Sequence, residues 1–213
     1  MADLRITEIF YSLQGESTTV GLPTVFIRLT GCPLRCVYCD TAYAFQGGEK
    51  WSVEAILEEV SLYKSAHVTV TGGEPLAQKE CLVLLDSLVD KGYKVSLETS
   101  GALDVSAVNR RVKKVMDLKT PDSGEMSKNL YGNIESLTAH DEVKFVICSR
   151  EDYDWVKNVI KEQALTERCE LLLSPCMGRQ AAEELADWIL ADRLQVRFQV
   201  QLHKTIWGDR PGK

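Results

Sequence analysis

Seven short runs rich in β-branched residues, spaced by longer segments of helical period, restrict this chain to few architectures. The runs are Thr24 to Leu29 (TVFIRL), Val68 to Val70, Lys94 to Leu97, Lys114 to Leu118, Glu142 to Ile147, Cys169 to Leu173 and Val196 to Val200. Strands that alternate with amphipathic helices pair in parallel, because a parallel pair needs a long crossover and a helix fills it. The clearest helix starts at Ser52, where WSVEAILEEVSLY offers a serine N-cap, a Glu in the first turn, and Ile56, Leu57 and Val60 on one face. Further helices are predicted over Lys79 to Lys91, closed by Gly92, over Asp152 to Gln163 and over Gln180 to Asp192. Thr120 to Gly124 (TPDSG) marks a loop, and the polar stretch from there to about Asp141 is the least regular part of the chain. The 213 residues fall short of the ~250 of a full eight-stranded barrel. The expected fold is therefore α/β, an incomplete (β/α)6-type barrel with mostly parallel strands, and residues 1–213 read as a single domain.

A net charge of -6 and a pI near 5.2 argue against nucleic acid as a partner, since binding a phosphate backbone needs clustered Lys and Arg. MADLRITEIF has no basic leader before an apolar stretch, and no apolar run approaches the ~20 residues that span a bilayer, so a cytoplasmic protein without membrane contact is expected. The seven cysteines are an odd number with an uneven spread, which fits a metal or redox site in a reducing compartment better than a disulfide framework. Cys81, Cys148, Cys169 and Cys176 are scattered among apolar neighbours and read as small core residues.

The other three crowd into one loop, GCPLRCVYCD, directly after the first strand run. Ligands of parallel βα folds gather at the C-terminal ends of strands, and the other ends, TVTGGEP, LETSG, MDLKTP, LSPCMG and QLHK, are also polar or glycine-rich. Structural zinc wants a fourth Cys or His at finger-like spacing, but the nearest histidine, His67, begins a strand. A four-iron cluster on three thiolates leaves one iron open for a ligand. Readings as a zinc-dependent or redox iron-sulfur module without catalysis, and as an enzyme with an open cluster, both stay open on the cysteines alone.

Cys32-x3-Cys36-x2-Cys39, with Tyr38 before the last cysteine and Thr71-Gly72-Gly73-Glu74-Pro75 after the next strand, resembles the signature of radical S-adenosylmethionine enzymes. A glycyl-radical activating enzyme shares that much. Ile9 to Glu16 (IFYSLQGE), Gly21-Leu22-Pro23, Phe26 to Leu29, Cys39-Asp40-Thr41 and Gln201 to Lys204 (QLHK) resemble the 7-carboxy-7-deazaguanine synthase family, over residues 8 to 204. That resemblance implies a carbon–nitrogen lyase that contracts 6-carboxy-5,6,7,8-tetrahydropterin with loss of ammonia, on the way to queuosine and related 7-deazapurines. It implies a [4Fe-4S] cluster with one open iron, S-adenosylmethionine, Mg2+, an electron donor such as flavodoxin, and a homodimer. It implies no catalytic side chain, since the cofactor carries the radical.

The same resemblance sorts the residues. Cys32, Cys36 and Cys39 would hold the cluster, and Thr41 the magnesium, beside the hard oxygens of Asp40. Gly73, Glu74, Glu98, Ser100, Asp117, Leu118, Lys119, Ser174, Pro175, Cys176 and Met177 would bind S-adenosylmethionine. Leu13, Gln14, Gly15, Glu16, Arg28, Thr71 and His203 would bind substrate. The chemistry is consistent: a reduced pterin shows an amide-and-amidine edge for Gln14 and Glu16, and its carboxylate suits a planar guanidinium such as Arg28. A carboxylate such as Glu98 suits ribose hydroxyls. Many members carry Ser-Pro-Lys where this chain has Asp117-Leu118-Lys119, and several end soon after His-Lys, where this chain runs on to Lys213.

Overall fold

The computed structural model describes residues 2–208, 210 and 212. One open sheet contains β1 (Asp3–Leu13), β2 (Pro23–Leu29), β3 (Glu49–Ser52), β4 (His67–Gly72), β5 (Lys94–Thr99), β6 (Lys113–Asp117), β7 (Glu142–Ile147), β8 (Glu170–Pro175) and β9 (Arg197–Phe198). Its spatial order is β3-β1-β2-β4-β5-β6-β7-β8-β9. From β2 to β9 all neighbours are parallel, and β1 runs antiparallel between β2 and β3. The helices are α1 (Val53–Leu62), α2 (Cys81–Asp90), α3 (Arg150–Glu162), α4 (Ala182–Asp192) and α5 (Leu202–Trp207). No described helix is long and apolar enough to cross a membrane.

Strand alternation separates a packed face from a polar one. Val68 and Val70 of β4 and Val95 and Leu97 of β5 pack with Ile56 and Val60 of α1 and Leu84 and Leu88 of α2. Val143, Phe145 and Ile147 of β7 pack with Tyr153 and Val156 of α3 and Leu185 of α4. Each such side chain, once buried, contributes about 1.5–3 kcal/mol. The residues between them, Thr69 and Thr71, Ser96 and Glu98, and Lys144, are left for the opposite face, which carries the cavity. The four scattered cysteines are buried, as their apolar neighbours suggest.

Three expectations need correction. The alternation of strands with helices is interrupted in the middle: residues 100–112 and 118–141 join β5 to β6 and β6 to β7 without an α-helix, through 3-10 turns such as Pro121–Ser123 and Tyr131–Ser136. Side chains replace the missing helical hydrogen bonds. Asn133 donates to the carbonyls of Gly101 at 3.0 Å and Leu103 at 2.8 Å and accepts from Val105 N–H at 3.2 Å, while Asp141 accepts from the N–H groups of Lys114 at 2.8 Å and Thr138 at 2.9 Å. Second, β1, β3 and α5 were not expected. β1 hides in plain alternation, with buried Leu4 and Ile6 flanking exposed Arg5. Third, the last run shrinks to Arg197–Phe198, an edge pair exposed on both residues.

Candidate active site

The segment after β1 closes the bottom of the curved sheet. Thr18 N–H donates to both oxygens of Glu142 at 3.2 Å, and Lys113 Nζ reaches Thr18 Oγ1 and Glu142 at 2.7 Å, at the starts of β6 and β7. Gln199, beyond β9, accepts from Ser17 N–H at 3.0 Å and donates to the Ser17 carbonyl at 2.8 Å. This strap puts Gln14 and Glu16 at the floor of a cavity of about 450 Å³. Gln14 donates to Thr69 at 3.2 Å and Glu98 at 3.3 Å, Thr71 donates to Glu98 at 2.9 Å, and Lys144 is ion-paired with Glu16.

The cysteine loop borders the same cavity. It is anchored at its root, where Gly31 donates to Ala44 O and accepts from Glu74 N–H, both at 2.8 Å, and at its tip, where Val37 N–H meets Ser123 O at 3.0 Å. Cys32, Cys36 and Cys39 all line the cavity. No three His, Cys, Asp or Glu side chains among the described residues converge as a single ion requires. A four-iron cluster asks for something else, one thiolate on each of three irons. Burial pushes the Cys32 thiol up, and the Cys36 thiol to about 11.

Gly73 makes the loop's approach possible. A Cβ there would sit 1.9 Å from Gly31 O, so the contact between the two backbones requires glycine. Glu74 departs from expectation. Its carboxylate is fully buried and accepts from Leu76 N–H at 3.0 Å, Thr99 Oγ1 at 2.9 Å, Ser100 N–H at 2.7 Å and Ser100 Oγ at 2.6 Å. It pins the end of β4 to the end of β5 and does not line the cavity; Leu118, Ser174 and Pro175 likewise lie behind the wall.

The remaining expected residues meet in this one cavity: Gly73, Glu98, Ser100, Asp117, Lys119, Cys176 and Met177, with Leu13, Gln14, Gly15, Glu16, Arg28, Thr41, Thr71 and His203. Arg28 is held by Glu8 at 2.7 Å, donates to Gly72 O at 3.3 Å, and lies near the rings of Phe10 and Tyr43. Asp117 takes Lys119 at 3.0 Å and Lys144 at 3.6 Å through one oxygen, while its other oxygen is buried and unpartnered among the described residues. Thr41 has no capping hydrogen bond, and its hydroxyl is 3.8 Å from Cys39 Sγ. α5 closes the side: Leu202 N–H donates to Gly15 O at 2.9 Å, Gln201 to Glu16 at 2.6 Å, and Lys204 pairs with Asp40 at 2.8 Å. Gly15 leaves room for His203, since a Cβ there would meet the imidazole at 2.0 Å. Beyond α5, the described residues Gly208, Arg210 and Gly212 help line the cavity.

Sequence reasoning assigned no role to Lys144, Tyr43, Gln201 or Arg179, all on the cavity wall. For Lys144 a signal existed: a charge inside the apolar run EVKFVI of a parallel strand has to face something polar.

Thiols in a cluster loop, an orphaned carboxylate oxygen and a ring of strand-end donors around one cavity define an enzyme of the radical S-adenosylmethionine type, and residues 26–164 match the Radical SAM superfamily. Such an enzyme uses a [4Fe-4S] cluster and S-adenosylmethionine; the three thiols fit the first and the free Asp117 oxygen suits a hydroxyl or ammonium of the second. The chain is 42% identical to the 7-carboxy-7-deazaguanine synthase of Koribacter versatilis over 96% of its own length and 97% of that protein, and 42% identical to that of Chlorobaculum tepidum over 97% and 96%. It superposes on QueE from Escherichia coli with a TM-score of 0.80 at 24% identity, covering 95% of this chain and 96% of the other. The chain belongs to the 7-carboxy-7-deazaguanine synthase family.

Proposed function

We propose that this chain converts 6-carboxy-5,6,7,8-tetrahydropterin to 7-carboxy-7-deazaguanine with loss of ammonia, and that residues 1–213 act as one catalytic unit in the cytoplasm. The observation that carries the reading is that Gln14, Glu16 and Arg28 line the same single cavity as the three thiols. Cys32, Cys36 and Cys39 would hold the cluster, which with S-adenosylmethionine would supply the radical chemistry for hydrogen abstraction from the pterin. The chain's own residues hold and shield. Arg28, oriented by Glu8, presents its remaining N–H groups to the substrate carboxylate. Gln14 and Glu16 meet the amide-and-amidine edge, and His203 and Thr71 border the ring. Thr41 and Asp40 offer oxygen ligands for Mg2+ beside that carboxylate. Lys119 and Asp117 face the amino-acid and ribose groups of the cofactor, with Ser100, Cys176 and Met177 completing its wall. α5 and the Lys204–Asp40 pair keep water from a radical that would attack any nearby C–H bond.

Val37, 69% exposed at the tip of the cysteine loop, supports docking of a one-electron donor such as flavodoxin there. Leu190 on α4, 74% exposed, supports a homodimer. The test is anaerobic reconstitution followed by reaction with S-adenosylmethionine, dithionite, Mg2+ and the carboxypterin. A product lighter by ammonia, absent from Cys36→Ala, is expected; accumulation of 5′-deoxyadenosine alone overturns the substrate.

A further inference from the structure

Lys144 stands in the middle of β7 and has no part in the reaction read above. Four carboxylates line the cavity, Glu16, Asp40, Glu98 and Asp117, and the cations are unevenly shared among them. Lys204 serves Asp40 at 2.8 Å and Lys119 serves Asp117 at 3.0 Å, while Arg28 is taken by Glu8. Among the described residues Glu16 has one ion-pair partner, Lys144, which also reaches Asp117 at 3.6 Å. Glu98 has none and accepts only from the neutral donors Thr71 and Gln14. Gln14 links the two, because its Oε1 accepts the Glu16 N–H at 3.2 Å.

We infer that Lys144 is a positioning residue for the substrate, whose ammonium fixes Glu16 as an acceptor-only group on the cavity floor. This rests on the pterin reading of the floor. The reason is charge balance in a poor solvent: two neighbouring carboxylates served by one cation divide their protons unequally. Burial drives the Glu16 carboxyl up, but Lys144 outweighs it and holds Glu16 below the ordinary range; burial and the Glu16 charge push Glu98 up. The groups facing this pair are Lys144, Asp117 and Lys119 from the β6–β7 side, Arg28 from β2, His203 and Lys204 from α5, and Asp40 from the cysteine loop. The floor then pairs an ion-paired acceptor, Glu16, with a second carboxylate, Glu98, that accepts only from Thr71 and Gln14. A ring edge that presents N–H groups to Glu16 is matched, and an edge with an acceptor at that position is rejected.

The test uses Lys144→Met and Lys144→Arg in the full, anaerobically reconstituted chain, with two readouts. The first is the urea midpoint between pH 5 and 8, which needs no substrate. Without the ammonium, the folded Glu16 carboxyl rises above its unfolded value, so Lys144→Met loses stability relative to wild type as pH rises, and Lys144→Met/Glu16→Gln loses that slope. The second is the KM for the carboxypterin. In Lys144→Met it rises at least about tenfold at pH 6 and recovers toward pH 8 as Glu16 ionises, kcat changes by less than about threefold, and Lys144→Arg stays near wild type. A Lys144→Met stability difference that is flat with pH, or a KM equal to wild type, overturns the inference. Wild-type protein that leaves the carboxypterin unconverted overturns the function instead, and the unfolding slope still decides whether Lys144 clamps Glu16.

Discussion

Gly73→Ala isolates the contact that joins the cysteine loop to the sheet. The glycine's backbone is not left-handed, so alanine adds no conformational strain, only a methyl group. That methyl would sit 1.9 Å from Gly31 O, 2.5 Å from Gly31 C and 3.1 Å from Cys32 N, all backbone atoms with no rotamer to change. Ordinary contact requires the two chains to part by about 1.5 Å. The separation breaks the 2.8 Å hydrogen bond from Glu74 N–H to Gly31 O, worth about 1 kcal/mol, and overpacking adds about 1–3 kcal/mol. The expected loss is about 2–4 kcal/mol in urea unfolding, with iron content after reconstitution at less than about half of wild type, because Cys32 moves with Gly31. Gly21→Ala is the control: its φ of +85° costs backbone strain, but nothing lies within 4 Å of the added methyl, so iron content holds. Wild-type iron and stability in Gly73→Ala would refute the reasoning.

Glu74→Gln puts an amide among four donors and is expected to cost about 2–4 kcal/mol in urea unfolding and to weaken S-adenosylmethionine binding through Ser100; unchanged stability contradicts the pinning role. Arg28→Lys keeps the charge but loses the planar fork, so KM for the carboxypterin should rise about tenfold or more while kcat falls less, in steady-state assays. Burial lowers the His203 pKa below 6.5 against the pull of Glu16 and Asp40, so the neutral imidazole is favoured. Its contribution is full above that value and lost as pH falls through the folded pKa. Hydrogen exchange of α5, corrected for intrinsic rates, should therefore quicken below pH ~6.5, and equal protection at pH 5 and 7.5 would count against it.

Strand runs and the cysteine loop were legible because each depends on local spacing: TVFIRL, EVKFVI and the three thiols announce themselves in a handful of residues. The helix-free middle was not legible, since Asn133 and Asp141 replace helical hydrogen bonds over 27 to 32 residues of separation. Glu74 shows a second limit. Its motif located the strand end correctly, but whether a carboxylate faces ligand or protein depends on Thr99 and Ser100, 25 and 26 residues on. Lys144 shows a third, because its partner Glu16 lies 128 residues away, on a strap whose path no local pattern encodes.

Counting iron and acid-labile sulfide per chain after anaerobic reconstitution tests the central claim most directly. About four of each in wild type, with a sharp loss in Cys36→Ala, is the predicted result. About one zinc, no sulfide and no colour would contradict it, and would make the loop a structural metal knot with no radical chemistry.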